Sequence, residues 1–344
     1  VIPALPQSAI LSGLTWLGPR VPYSGEYRGD SFPLTWADDD IIYTSAGDPV
    51  THKGDGIDVE ALHGDPENLR IDVLNLMPGF TGWGGHGAKP TGILSHKGIL
   101  YLIVHNLGHR TDENMEKCHG YDAQVFLSRD KGKTWEPDLA SVEQSPMFPG
   151  RDFGSPAFIN YGKDHAGATD RFVYAVSGQG WANGNEFKLG RVDADQIMSS
   201  AAWEFVGGFT RDGAPIWVKD QRAAVPILTD PGFCGYMDAV YVHSIKRYIF
   251  LGWHFKIERP DKYSPDDGSE LAVYEAPNPW GPFAQVAKLD WETPAVTPYN
   301  PRLPLKWFDP EKLEGWLLFS GSWRNGGTSE YYRANVRKFR FDRP

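Results

Sequence analysis

Short apolar runs recur along the chain, about four to a group, and turns rich in Gly, Asp, Asn and Pro separate them. Such runs, rich in β-branched and aromatic residues, are the signature of strands and hairpins. The first group reads PLTWADDDIIYTSAGD (Pro33–Asp48), then IDVEAL and RIDVLNL. The second reads KPTGILSHKGILYLIVHN (Lys89–Asn106), then YDAQVFLSRDKGKTWEP. The third reads GSPAFINYG (Gly154–Gly162), RFVYAVSG, FKLGRVDADQI and WEFVGGF. The fourth reads YMDAVYVHSIKRYIFLGWHF (Tyr236–Phe255), then ELAVYEAPNPWGPFAQVAKLDW. The fifth reads PLKWFDPEKLEGWLLFSGSW (Pro304–Trp323), then YYRANVRKFRF. Helical periodicity is weak, and the best candidates, near Ala194–Ser200 and Asp309–Glu314, are single turns.

Five units of four strands predict an all-β fold, a five-bladed β-propeller forming a single domain over residues 1–344. Spread over 344 residues, each unit takes about 69, above the ~40–50 of compact propeller repeats, and the excess falls in loops. The fifth unit lacks a fourth strand. The N-terminal segment Leu14–Arg20 is expected to supply it and close the last blade, pairing two otherwise open edges. A β-sandwich with long loops is the alternative, but the repeated four-run unit suits blades better.

Composition narrows the function classes. The net charge of −10 and the lack of a basic tract argue against nucleic acid. No apolar run is long enough to span a membrane. The 38 Gly and 27 Pro suit turns rather than long helices. Many of the 13 Trp are expected in the core, and some can stack on sugar faces. Cys118 and Cys234 match no metal motif and leave one disulfide or two free thiols open. The first residue is Val rather than Met, which removal of a signal peptide or trimming of the chain would explain. A secreted or periplasmic location is expected, and separately a monomer.

Ser128–Trp135 (SRDKGKTW) matches the Asp-box pattern S-x-D-x-G-x-T-W. Asp130 can accept from turn amides, Gly132 can supply a positive φ, and Trp135 can bury its ring. In sialidase-like propellers this box lies far from the active site, so it speaks for fold and not for chemistry.

In propellers the innermost strand of each blade starts at the ligand face and the second strand ends there. That geometry gathers Asp30 and Asp48 from the first unit, and His86, Lys89, His105 and Asn106 from the second. The third adds Arg151, Asp152 and Trp181; the fourth Tyr236, Asp238 and His254; the fifth Asn300, Arg302 and Trp323. Carboxylates and amides for hydroxyls, with aromatic walls for ring faces, describe a carbohydrate pocket.

The opening segment GDSFPLTWADDDIIYTSAGD resembles the first blade of a large bacterial five-bladed propeller family that includes mycobacterial endo-D-arabinanases, which are glycoside hydrolases. The likeness extends to KPTGILSHKGILYL, FGSPAFINYGKDHAGATDRFVYAVSG, LGRVDADQI, EAPNPWGPF and LKWF. It implies that the family's first-blade aspartate pair falls on Asp30 and Asp48. Here Asp30 is followed by SFPL rather than the arabinanase-like Leu-Gly, so the family's substrate does not carry over.

Glycoside hydrolysis commonly needs one protonated and one ionised carboxyl group. Asp30 and Asp48 are the leading pair, with Asp152 and Asp238 as an acid or a pKa-tuning third partner. A second chemistry is β-elimination on a uronate. There His86 or His105 would act with Tyr236 as acid and base, and Lys89 and Arg151 would pair with the sugar carboxylate. A non-catalytic glycan-binding propeller is the third reading. Asn106, Trp181, His254, Arg302 and Trp323 complete the expected substrate contacts. No cofactor is required, and a structural Ca²⁺ in the channel is compatible. His96, in the tight turn SHKG, is expected to face solvent.

Overall fold

The computed structural model describes residues 4–50, 56–84, 87–107, 120–257 and 263–344. Strands dominate, and the few helices are single turns. No helix among the described residues is long and apolar enough to cross a membrane.

Strands β1 (Gly13–Trp16) and β2 (Val21–Pro22) precede the first antiparallel meander. That sheet holds β3 (Asp30–Trp36), β4 (Ile42–Gly47), β5 (Ile57–His63) and β6 (Arg70–Asn75) in sequence order. A second sheet holds β7 (Lys89–His96), β8 (Ile99–His105) and β9 (Gln124–Ser128). A third meander runs through β10 (Pro156–Asn160), β11 (Phe172–Ser177), β12 (Glu186–Asp193), β13 (Glu204–Phe209) and β14 (Pro215–Val218), with β15 (Pro226–Thr229) also on β12. A fourth comprises β16 (Asp238–Val242), β17 (Arg247–Phe255), β18 (Ser269–Ala276) and β19 (Ala284–Asp290). It touches the third through a short parallel pairing, Ile159 with Ala239 and Asn160 with Val240. The last sheet contains β20 (Tyr299–Arg302), β21 (Glu314–Ser320) and β22 (Asn335–Asp342).

The N-terminal strand joins this last sheet. β1 pairs antiparallel with β22, Gly13 opposite Asp342 and Trp16 opposite Phe339. The fourth-strand expectation therefore holds, on Gly13–Trp16 rather than as far as Arg20. The second sheet departs from the four-strand pattern: among the described residues, the chain after β9 returns to it through isolated bridges, Glu136 with Leu127 and Phe148 with Ala123, rather than a fourth strand. The fifth unit's inner strand is Tyr299–Arg302, upstream of the apolar run that begins at Pro304.

Burial explains the run pattern. Inner strands such as β4 and β8 have neighbours on both faces and are buried at nearly every position; β8 reads as a continuous apolar run, while β4 carries small buried Thr44 and Ser45 within it. Outer strands such as β6 and β19 expose one face and intersperse polar residues. The core lies between sheets. Tyr43 and Val59 meet Leu102 and Val104; Ile103 and Val125 meet Phe158 and Val173. Tyr174 and Phe187 meet Phe250 and Tyr274; Leu251 and Leu271 meet Leu317 and Phe339. A further cluster sets Leu318 and Val336 of the last sheet against Phe32 and Leu62 of the first. At Gly92 of β7, an added Cβ would lie 2.8 Å from the Ala157 Cα, so glycine permits the close approach of β10.

The Ser128–Trp135 turn is internally bonded. Ser128 Oγ donates to Asp130 Oδ1 at 2.8 Å, the Thr134 amide donates to the same oxygen at 2.9 Å, and Trp135 packs half-buried on the core. His96 does not simply face solvent. It is half-buried, with its ring 5.6 Å from the buried His165 ring, because the short 163–165 turn folds over the β7–β8 hairpin. Cys234 is a buried free thiol, and burial raises its pKa; Cys118 lies outside the described residues.

Candidate active site

The first hairpin delivers both leading carboxyls to one end. Asp30 opens β3 opposite Gly47, and Asp48 follows β4 directly. The three consecutive aspartates Asp38–Asp40 form the exposed turn at the other end. The backbone is irregular at the mouth: Ser31, Phe32 and Asp48 have φ of 71°, 43° and 46°, and the register slips between Ser31 and Leu34. Left-handed non-glycine residues often mark functional sites. Gly47 is needed here, since an added Cβ would lie 2.8 Å from Asp30 Oδ1 and 3.1 Å from Lys89 Cδ.

The two carboxyls have different surroundings. Asp30 is buried; its Oδ2 accepts from the Tyr299 hydroxyl at 3.0 Å and its Oδ1 from Ser31 Oγ at 3.1 Å. Burial, reinforced by the nearby charge of Asp48, pushes its pKa up to about 7 against the opposing pull of Lys89 and the hydroxyls. Asp48 instead meets the buried Lys89 ammonium, Nζ to Oδ1 at 2.8 Å, and accepts from the Gly84 amide at 3.0 Å. Its carbonyl accepts from the Tyr332 hydroxyl at 3.1 Å.

These groups line a cavity of about 110 Å³ together with Trp83, Trp181, Trp323 and Tyr236. Trp181 and Trp323 stand edge to face at 5.6 Å. His105 lies behind Tyr236. Burial, with the charge of Lys89, pushes its pKa down to about 3, so the ring is neutral. Its Nδ1 donates to the Gly154 carbonyl at 3.1 Å, which leaves Nε2 to accept a hydrogen bond from the Tyr236 hydroxyl.

The structure thus gathers Asp30, Asp48, Lys89, Trp181, Tyr236 and Trp323 around one cavity, with His105 one layer deeper. Several expected site residues go elsewhere. Asp238 accepts from the Leu303 amide at 2.7 Å, and Arg302 donates to the Ser31 and Met237 carbonyls at 3.0 and 2.6 Å. Together they brace β3, β16 and β20 beneath the cavity. Asn106 spans Gly87 and Gly120 with its amide, fixing loops. His254 pairs with Glu270 Oε2 at 2.6 Å across β17 and β18. Arg151 and Asp152 line a neighbouring groove, where Asp152 meets Lys188 Nζ at 3.3 Å. His86 lies outside the described residues.

Tyr299, Tyr332, Trp83, Ser31 and Gly84 were not singled out from sequence. Tyr299 could have been found once Tyr299–Arg302 was taken as an inner strand; nothing in YYRAN separates Tyr332 from Tyr331. Among the described residues, no three His, Cys, Asp or Glu side chains gather to hold a metal ion.

No family model matches the chain, and no curated protein matches it either. Solved structures do. An α-L-arabinofuranosidase from Podospora anserina, in complex with cellotriose, aligns at a TM-score of 0.52 and 11% identity, covering 97% of this chain and 98% of that one. The catalytic domain of a GH62 α-L-arabinofuranosidase from Coprinopsis cinerea gives 0.53 and 11%, covering 97% and 98%. The GH43_1 enzyme from Xanthomonas citri, complexed with xylotriose, gives 0.53 and 13%, covering 93% and 88%. At these identities the likeness is one of architecture: the chain has a β-propeller-like fold of the kind found in glycoside hydrolases.

Proposed function

We propose that this chain is a glycoside hydrolase, a five-bladed propeller spanning residues 1–344 that cleaves an uncharged oligo- or polysaccharide with Asp30 as general acid and Asp48 as its carboxylate partner. Two features support the propeller reading. Each inter-sheet cluster joins successive sheets, and the last returns to the first. The N-terminal strand fills the edge of the final blade.

The observation that carries the chemistry is the asymmetry of the pair. One carboxyl stays protonated to about pH 7 in an aromatic pocket, while its neighbour sits against an ammonium and a backbone N–H. In this reading Asp30 gives its proton to the leaving glycosidic oxygen as the bond to the anomeric carbon breaks. Asp48 meets the positive charge growing on that carbon, and either takes the proton of the attacking water or bonds to the carbon first. Lys89 sets its ammonium 2.8 Å from Asp48 Oδ1, and the tryptophans offer ring faces to the sugar.

The cavity's own cations favour an uncharged ring at the scissile bond: Lys89 is held by Asp48, and Arg302 is buried against two carbonyls, while Arg151 lies outside the cavity in the neighbouring groove. The test is product analysis on arabinan, arabinoxylan and a uronate-rich polysaccharide. New reducing ends without an unsaturated product are expected. Absorbance near ~235 nm, from a C4–C5 double bond, would overturn hydrolysis in favour of β-elimination with Tyr236 and His105.

A further inference from the structure

The central cavity is small, about 110 Å³, below the ~300–1,000 Å³ usual for pockets that enclose a drug-sized ligand. Beside it lies a larger polar groove of about 460 Å³. The two are neighbours along the chain and in space. Trp181 walls the cavity; Gly180 and Ala182, on either side of it in sequence, line the groove. Tyr263 also lines the groove and stands 5.6 Å from the Trp181 ring.

The groove's chemistry suits a hydroxylated, uncharged ligand. Gln179 Oε1 accepts from the Asn185 amide at 3.1 Å, leaving the Gln179 NH₂ as a donor. Asp152 and Lys188 neutralise each other at 3.3 Å and keep further acceptor and donor capacity. Arg151 and Glu186 add one charge of each sign. Gly178 and Gly184 let the wall pack closely on the segment behind it, since a Cβ on either would run into the Gly235 or Cys234 carbonyl.

We infer that this groove is a binding site for the next glycosyl units of a chain whose scissile bond lies at Asp30 and Asp48, so that the protein acts on chains of several sugars rather than on a single terminal glycoside. The inference rests on the hydrolase reading only for the position of the scissile bond. One sugar ring fits the cavity, and its neighbour passes over Trp181 onto Gln179, Arg151 and the Asp152–Lys188 pair.

The experiment measures affinity by calorimetry, using full-length Asp30→Asn protein so that ligands stay intact. Linear arabino- and xylo-oligosaccharides of about two to about six units are the probes. Affinity for one series is expected to rise at least about tenfold with length, or ~1.4 kcal/mol. In the Asp30→Asn protein that also carries Arg151→Ala and Gln179→Ala, the rise should vanish and affinity should stay at the value for the shortest oligomer. Both added positions are exposed, so the fold should survive; an unchanged melting transition checks this. Affinity that is flat with length, a rise that persists in the groove variant, or no binding by either series overturns the inference. A length-dependent rise in a protein whose parent releases no reducing ends from either polymer would sustain the groove and reject the hydrolase reading.

Discussion

Asp30→Asn should abolish turnover and, at neutral pH and above, make the protein more stable. Burial raises the folded-state pKa of Asp30 from 3.8 to about 7. Between those values the folded chain holds a proton that the unfolded chain has lost. Stability therefore falls as pH rises through this window, and the full loss is present above about pH 7. A gap of about three pH units corresponds to about 4 kcal/mol at ~1.36 kcal/mol per unit. The neutral amide has the same shape, can still accept from Tyr299, and escapes this cost. Unfolding entropy of about 2.1 cal/mol/K per residue over this chain gives ~0.7 kcal/mol/K, so the variant should melt about 5 °C above its parent at pH 8. Near pH 4 the parent's Asp30 is protonated in the folded state and about half so in the unfolded, and the two proteins should melt within about 1 °C of each other. Parallel melting curves at both pH values, with activity on the cleaved polysaccharide, make the assay. A gain of equal size at both pH values, or a loss at pH 8, refutes the claim that a buried, protonated carboxyl sits here. In the parent, the rate should decline as pH rises through about 7, as the general acid loses its proton.

Other sites give distinct outcomes. Lys89→Met strands the Asp48 carboxylate in a buried place and should cost about 3–5 kcal/mol in urea unfolding; adding Asp48→Asn should recover most of it. Trp83 lines the cavity but is 43% exposed, so Trp83→Ala should lower kcat/KM about tenfold with little change in melting temperature. His165 is buried with its pKa pushed down to about 4, chiefly by burial and then by His96. Its contribution to stability should be intact above about pH 6.5 and lost as pH falls toward 4; His165→Gln should flatten that part of the pH dependence of urea unfolding.

The strands were legible because the inner ones are buried on both faces and read as runs of apolar and small residues, each ended by a turn. The site was legible where strand ends alone decide it. Asp30 and Asp48 lie 18 positions apart, one hairpin down and back, and so must return to the same end. Lys89 is found by the same rule, at the start of β7. The rule gives height along a strand but not which way a side chain turns. Asp238 begins β16 at a comparable height, yet its carboxyl turns onto the Leu303 amide, and His254 near the end of β17 turns to Glu270 on the next strand. Asp152 precedes β10 by a few residues, enough to carry it out of the cavity onto Lys188. Pairwise side-chain turns of this kind have no periodicity to read.

The difference between the two carboxyls also comes from outside their hairpin. Asp48 receives its cation from β7 of the second sheet and its amide donor from the loop before it. Asp30 receives a phenol from β20 of the last sheet, a neutral donor that leaves burial as the dominant influence. In the proposed reading, exchanging those neighbours would exchange the acid and the carboxylate, so the proposed chemistry depends on the last sheet meeting the first, with Arg302 tying Ser31, beside Asp30, to Met237 just before β16. Because β1 holds the outer edge of that last sheet through β22, the chain's first strand and its proposed acid belong to one mechanical unit, although only the hairpin around Asp30 is local in sequence.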